Sequence, residues 1–245
     1  MLYGQHWFGE DTRMATYVFV HGAFQGGWVW GKVASILRGR KHEVNTPTLT
    51  GCGDRSHLLR EDVDLHSYVK DITNFLYFEN LSNVILVSHG YSGMVASAVI
   101  QAMPHVARKV IYLDAAIPEK GRSYLDLAGE GFGYVLKSHL HNSWLVKPWP
   151  SLSGGISHST DRQWFESRLV NFPLAAFKTP FPGKFDSNLF DLSFIRCKDG
   201  PDGFIDDAVR DAKKEGWGYH ELQSGHLPMV TAPMELAELL MEIGG

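Results

Sequence analysis

Apolar positions along the chain fall into two patterns that alternate. Short runs at 17–20, 43–46, 84–87, 109–113, 192–197 and 218–222 have the length and composition of strands. Between them, 28–37, 65–78, 91–102, 204–214 and 234–243 read as helices; in 65–78 the apolar residues Leu65, Val69, Ile72, Phe75 and Leu76 recur at helical spacing. Pro47 closes the second strand, and Pro104 stops the helix that begins near Tyr91. Continuous apolar strands separated by helices predict an α/β fold with a mostly parallel central sheet flanked by helices on both faces.

Between about 117 and 190 the alternation fails. The stretch is rich in Pro, Gly and aromatic residues (among them Phe132, Trp144, Trp149, Trp164, Phe172 and Phe177), with a helical piece at 161–170 and no convincing buried strand. Over a sheet, such an insertion reads as a mainly helical lid walling an apolar pocket; helices that merely enlarge the core would use the same residues. The predicted organisation is a core of 14–116 and 191–245 with a lid insertion at 117–190. Residues 1–13 lack a clear period, and the run from Met14 reads like a natural start, so 1–13 is predicted to be a peripheral N-terminal extension.

Length and charge narrow the class. The 245 residues suit one large domain, or one with a sizeable insertion. Basic residues number 23 against 27 acidic, a net charge of −4, without the basic stripe of a nucleic-acid binder or the polybasic run of a membrane-surface protein. Cys52 and Cys197 are the only cysteines, which argues against a disulfide framework and a cysteine-based zinc site. No apolar run approaches the ~18 residues of a membrane span. The N-terminus lacks a secretory pattern, so the expected location is cytoplasmic.

In parallel α/β sheets, ligands sit at the carboxyl ends of the strands. After the first strand comes His21-Gly22-Ala23-Phe24-Gln25-Gly26-Gly27-Trp28, after the third Ser88-His89-Gly90-Tyr91-Ser92-Gly93, after the fourth Asp114, after the fifth Asp199 and Asp202, and after the last Gly225-His226. This order, with Pro47-Thr48-Leu49-Thr50-Gly51-Cys52-Gly53-Asp54-Arg55-Ser56-His57 and Tyr112-Leu113-Asp114-Ala115, resembles the α/β-hydrolase superfamily, in the branch of small bacterial and plant carboxylesterases, methyl-ester hydrolases and hydroxynitrile lyases.

The resemblance breaks at the nucleophile. Family members carry G-x-S-x-G at the strand-to-helix turn; here Gly90 stands in the serine's place, and Ser88 and Ser92 replace the flanking glycines. No acyl-enzyme can form on a residue without a side chain. Three altered positions favour natural divergence over an engineered replacement, which would change only the nucleophile. The alternatives are that Ser88 or Ser92 substitutes for the lost hydroxyl. Ser92 would lie in the first helical turn, where serine caps or packs, and Ser88 on the strand side, pointing away from the pocket.

His226 keeps the family's histidine position, where a buried carboxylate can orient it and stabilise its charged form. The resemblance allows the acid at Asp114 and more commonly after the next strand. There Gly200 stands in the usual acid position, so Asp114 is preferred, with Asp199 and Asp202 as alternatives. By resemblance, the Ala23 and Tyr91 N–H groups would form an oxyanion hole. Such donors stabilise developing negative charge without a nucleophile. His89 is expected only to pack, Cys52 to be a small buried hydrophobe, and His57 to hold its loop.

These residues point to proton transfer beside a carbonyl on a small, apolar, aromatic or polyketide-like compound: a lyase, decarboxylase, dehydratase or cyclase without acyl-enzyme, or general-base activation of water. The rivals are an ester or amide hydrolase whose serine has become Gly90, and a ligand-binding pseudoenzyme. No phosphate loop, dinucleotide fingerprint or metal-spaced ligand set is evident, so no cofactor and no metal are expected. The expected partner is a small-molecule substrate rather than nucleic acid or membrane, with a homodimer left open.

Overall fold

The computed structural model describes residues 14–200 and 203–245, so the predicted 1–13 extension and Asp202 lie outside the described residues. The chain runs β1 (Thr16–Val20), α1 (Gly31–Gly39), β2 (Glu43–Asn45), α2 (Leu65–Phe78), β3 (Val84–His89), α3 (Ser92–Ala102), β4 (Ala107–Leu113), α4 (Tyr124–His139), β5 (Leu140–His141), β6 (Leu145–Val146), α5 (Ser159–Glu166), β7 (Phe172–Pro173), α6 (Leu174–Lys178), β8 (Leu192–Cys197), α7 (Phe204–Lys214), β9 (Gly218–Leu222), α8 (Pro228–Thr231) and α9 (Pro233–Gly244). The main sheet has the order β2-β1-β3-β4-β8-β9 with every neighbouring pair parallel.

Strand side chains alternate between two apolar layers, as the pleat requires. Val18, Val20, Leu86, Val110, Tyr112 and Phe194 pack on one face against α2, α3 and α7. Tyr17, Phe19, Ile85, Val87, Ile111 and Ile195 pack on the other against α1 and α9. Local signals set the element ends. Asp64 caps α2 by accepting from the Ser67 N–H at 2.9 Å while Ser67 Oγ accepts from the Asp64 N–H, a reciprocal capping box. Nine of the eleven α3 residues are buried, so this helix is apolar on all sides. Gly93 is obligatory at its start, because a Cβ there would stand 3.0 Å from the Ala116 backbone N and C.

The 117–190 segment is less purely helical than its sequence predicts. Between α4 and α6 it forms a second, antiparallel sheet of order β5-β6-β7, with two residues per strand. Two-residue strands carry no readable period. The turn between β5 and β6 uses Asn142 and Ser143 at φ 49° and 62°. The helical piece read at 161–170 is α5, which ends at Glu166; beyond it the Val170 N–H leaves helical pairing and donates to Phe24 O at 3.0 Å. Among the described residues no helix is long and apolar enough to cross a membrane.

Candidate active site

The apolar run of β3 drives the chain through the sheet centre, and the turn into α3 requires Gly90 at φ 57°, in the left-handed region where glycine is unstrained. A Cβ built on Gly90 would lie 3.6 Å from His226 Nε2, in ordinary van der Waals contact. The bare Cα of residue 90 therefore faces the histidine ring. Ser88 Oγ donates to Ile111 O at 3.4 Å, and Ser92 Oγ donates to His21 O. Both hydroxyls are buried and bound to backbone carbonyls, and neither residue lines the cavity beside His226, so the alternative that one of them replaces the lost hydroxyl has no placement to support it.

His226 lies in the loop between β9 and α8. Its Nδ1 is 3.2 Å from Asp114 Oδ2, at the end of β4. Asp114 takes φ 41°, a left-handed conformation that Asp tolerates better than most residues. Its Oδ1 accepts from the Cys197 N–H at 2.8 Å, and Arg196 Nη1 lies 3.3 Å from Oδ1 and 3.5 Å from Oδ2. Burial pushes the Asp114 carboxyl up, but the His226 ring, the Cys197 N–H and Arg196 outweigh it and hold the group below the ordinary carboxylate range. Asp114 is thus ionised and fully buried, while a third of the His226 side chain remains exposed.

Asp199 does not serve His226. Its exposed carboxylate accepts two bonds from Gln223 Nε2, at 3.0 and 2.9 Å. The other alternative, Asp202, lies outside the described residues. A Cβ on Gly200 would fall 2.5 Å from Asp114 Oδ2 and 3.0 Å from Arg196 Nη1. The space of a side chain at 200 is therefore filled by the carboxylate arriving from β4.

Three contributors escaped the sequence reading. Arg196, taken there as a strand residue, bridges Asp114 and Asp206, the latter at 3.2 Å. His89, assigned only packing, donates from Nε2 to His226 O at 2.8 Å, and its ring centroid lies 4.5 Å from that of His226. Burial, reinforced by the neighbouring His226, pushes the His89 pKa down to about 3, so the ring is neutral. His21 is likewise neutral: burial pushes its pKa to about 4, its Nδ1–H donates to Gly22 O at 2.8 Å, and its Nε2 accepts from the Leu49 N–H at 3.1 Å. No spacing rule announces the Arg196–Asp114, His89–His226 and His21–Leu49 bonds, which join elements distant in sequence.

Two loop residues behave differently from each other. Cys52 is buried and burial pushes its thiol up to about 12, as befits a packed hydrophobe. His57 does not hold its loop: its side chain is exposed and makes no hydrogen bond among the described residues. Arg55 does that work instead, reaching Thr48 O at 2.8 Å, Thr50 Oγ1 at 3.0 Å and Asp71 Oδ1 at 3.3 Å.

A cavity of about 420 Å³ opens in front of His226. Phe24, Tyr124, Phe132, Trp149 and Phe177 supply apolar walls, and Gly22, Ala23, Gly90 and Tyr91 form the floor at the strand ends. The Ala23 and Tyr91 N–H groups have no hydrogen-bond partner among the described residues, and Tyr91 immediately precedes α3, whose N-terminus favours negative charge. No three His, Cys, Asp or Glu side chains come together as a metal site among the described residues. Phe24, next to Ala23, holds φ 67°. For a bulky residue this left-handed conformation costs roughly 1–2 kcal/mol.

Comparison with known proteins agrees with this architecture. Residues 17–239 match the profile of the alpha/beta hydrolase family. A carbendazim hydrolyzing esterase of Nocardioides is 33% identical over 94% of this chain and 100% of its own. Methylesterase 10 of Arabidopsis thaliana is 26% identical over 96% of this chain and 93% of its own. Among solved structures, tomato methylketone synthase I bound to 2-tridecanone superposes with a TM-score of 0.76 at 17% identity, covering 94% of this chain and 98% of its own. An extracellular α/β-hydrolase from a Paenibacillus species superposes at 0.78 and 22% identity, with the same coverage.

Proposed function

Since the chain belongs to the alpha/beta hydrolase family, we propose that it is an enzyme which keeps the family's proton-transfer and oxyanion machinery but works without a covalent acyl intermediate. The observation that carries this reading is the pairing of Gly90 with His226: the turn that presents a nucleophile elsewhere in the family presents only a Cα here, 3.6 Å beyond which, measured from an ideal Cβ, lies an imidazole nitrogen. His226 Nε2 takes a proton from the substrate and returns it. Asp114, bonded to Nδ1, fixes the tautomer and stabilises the imidazolium. The Ala23 and Tyr91 amides receive the charge that builds on the carbonyl oxygen, each worth about 3 kcal/mol in the transition state.

The cavity's volume and aromatic walls suit a small, largely apolar carbonyl compound, with the 117–190 segment acting as its lid. Lyase, decarboxylation, dehydration and ring-closure chemistry all fit this machinery and need no cofactor. A methylketone synthase bound to a long-chain ketone, related by fold, supports an apolar carbonyl ligand.

A second reading is hydrolysis in which His226 activates water, favoured by the full-length similarity to a carbendazim hydrolyzing esterase and to a plant methylesterase. One experiment separates the readings from covalent catalysis. The unmodified protein is treated with a fluorophosphonate and with 4-nitrophenyl acetate, and its intact mass is measured. An unchanged mass is expected. A serine carrying the phosphonyl or acetyl group would overturn both non-covalent readings. Ester turnover with ¹⁸O from solvent water in the acid product, at unchanged protein mass, would select the second.

A further inference from the structure

We infer that Phe24 is a positioning residue: the 117–190 segment holds its main chain in the left-handed conformation that presents the Ala23 N–H to the cavity. The inference rests on the oxyanion role proposed for Ala23.

The loop after β1 is closed from both sides. At its start the Gly22 N–H donates to Gln25 Oε1 at 3.3 Å, tying the first and last residues of a four-residue turn. At Phe24 the carbonyl accepts from the Val170 N–H at 3.0 Å, a bond from a residue 146 positions away (170 − 24) in the segment between β4 and β8. With both ends fixed, a change in φ at residue 24 has to be absorbed at Ala23, and the Ala23 N–H would swing away from the floor of the cavity.

Phe24 does not adopt φ 67° on its own account, since a side chain disfavours that region. Its buried ring is gripped by Trp149, Phe172 and Phe177, with centroids at 5.1, 5.4 and 6.0 Å, all from the same segment that supplies Val170. Strain of this kind persists only where the surroundings over-determine it. The segment above the cavity therefore does more than wall it: it sets the backbone of the anion cradle beneath.

Three variants of the full chain test this, with methyl benzoate as probe and the ¹⁵N–¹H signals of Ala23 and Tyr91 as readout. In the unmodified protein, methyl benzoate should shift the Ala23 amide saturably. Phe24→Ala keeps the backbone penalty but loses the ring; the Ala23 response should collapse and the probe's Kd should rise by about fivefold or more, the size of a strain no longer opposed. Phe24→Gly loses the ring and the penalty together, so the Ala23 response should recover above that of the alanine variant although glycine fills less space. Phe172 touches the Phe24 ring but does not line the cavity. Phe172→Leu should therefore weaken the probe and change the φ-sensitive HN–Hα coupling of Phe24.

A ring that only walls the cavity predicts the opposite order, with the glycine variant no better than alanine, and that result overturns the inference. So does an undiminished Ala23 response in Phe24→Ala, or an unaltered Phe24 coupling and probe affinity in Phe172→Leu. An Ala23 amide that stays silent in the unmodified chain removes the donor assignment itself, and the inference with it.

Discussion

Gly200 and Asp114 share one space: a Cβ on residue 200 would sit 2.5 Å from Asp114 Oδ2, so the carboxylate from β4 can reach His226 only while residue 200 has no side chain. Position 200 follows β8, where the family's acid more commonly stands. A carboxylate at the end of β4 and a side chain at position 200 therefore exclude each other, with Arg196 Nη1 against the buried charge at 3.3 Å.

Gly200→Ala should accordingly displace Asp114 from His226. Overpacking a filled site costs typically 1–3 kcal/mol, so urea unfolding at neutral pH should show a loss of that order. The His226 ring should lose its fixed tautomer, visible in its ¹⁵N shifts. An alanine that leaves both unchanged would show that the carboxylate tolerates a neighbour there.

Gly90→Ser should create what the chain lacks. The Cβ position meets only His226 within 4 Å, so a serine fits without steric conflict, at a backbone cost of roughly 1–2 kcal/mol for a non-glycine residue at φ 57°. The variant should gain one fluorophosphonate label at residue 90 and measurable hydrolysis of 4-nitrophenyl acetate. Absence of labelling in a folded variant would mean that His226 cannot activate a hydroxyl in this geometry.

Asp114→Asn keeps the shape but removes the charge that holds the His226 Nδ1–H. By analogy with other His–Asp pairs, turnover should fall by about 10³–10⁴-fold. The same variant should favour the other ring tautomer, and a ring spectrum identical to the parent's would contradict the assigned orientation.

Acid should unfold the protein in a recognisable window. His21 and His89 have folded-state pKa values pushed down to about 4 and about 3, below the 6.5 of an exposed histidine. For a depressed base the unfolded chain binds the proton first. The stability is therefore complete above about pH 6.5 and lost as pH falls toward 4, at up to about 1.4 kcal/mol per pH unit for each ring. Asp114, also depressed, adds a loss that begins lower, near the ordinary carboxylate range of about 4. Urea unfolding between pH 7.5 and 4.5 should show this slope, and His21→Asn should reduce it by about half. A flat profile would mean that the buried rings charge without penalty.

Much of this was legible from residue patterns, and what was not has a common cause. The strands β8 and β9 and the helices α2 and α7 have the bounds read from the residue pattern; each of the two helices buries one continuous face, and β8 is buried throughout. Gly90, Asp114 and His226 stand at or just past strand ends, where the topology gathers ligands, and the resemblance to the α/β-hydrolase motifs singled them out among the residues there. Arg196 and His89 were missed because their work is done by bonds across the sheet: a guanidinium on a carboxylate 82 residues away, and an imidazole on a carbonyl 137 residues away. Ser88 and Ser92 were open alternatives only until their hydroxyls proved to be bound to main-chain carbonyls. The β5-β6-β7 sheet is too short for a period of two to register.

The helix that follows Gly90 is enclosed on every side by packed side chains, and the turn before it is clamped by the Ala116 N–H on Gly90 O at 3.0 Å. Folding therefore depends on that hinge keeping its shape, and a side chain projecting from it adds only the roughly 1–2 kcal/mol that a non-glycine residue costs at this φ. A lineage can strip the reactive atom from such a scaffold, or put it back, in one mutational step without rebuilding the house around it.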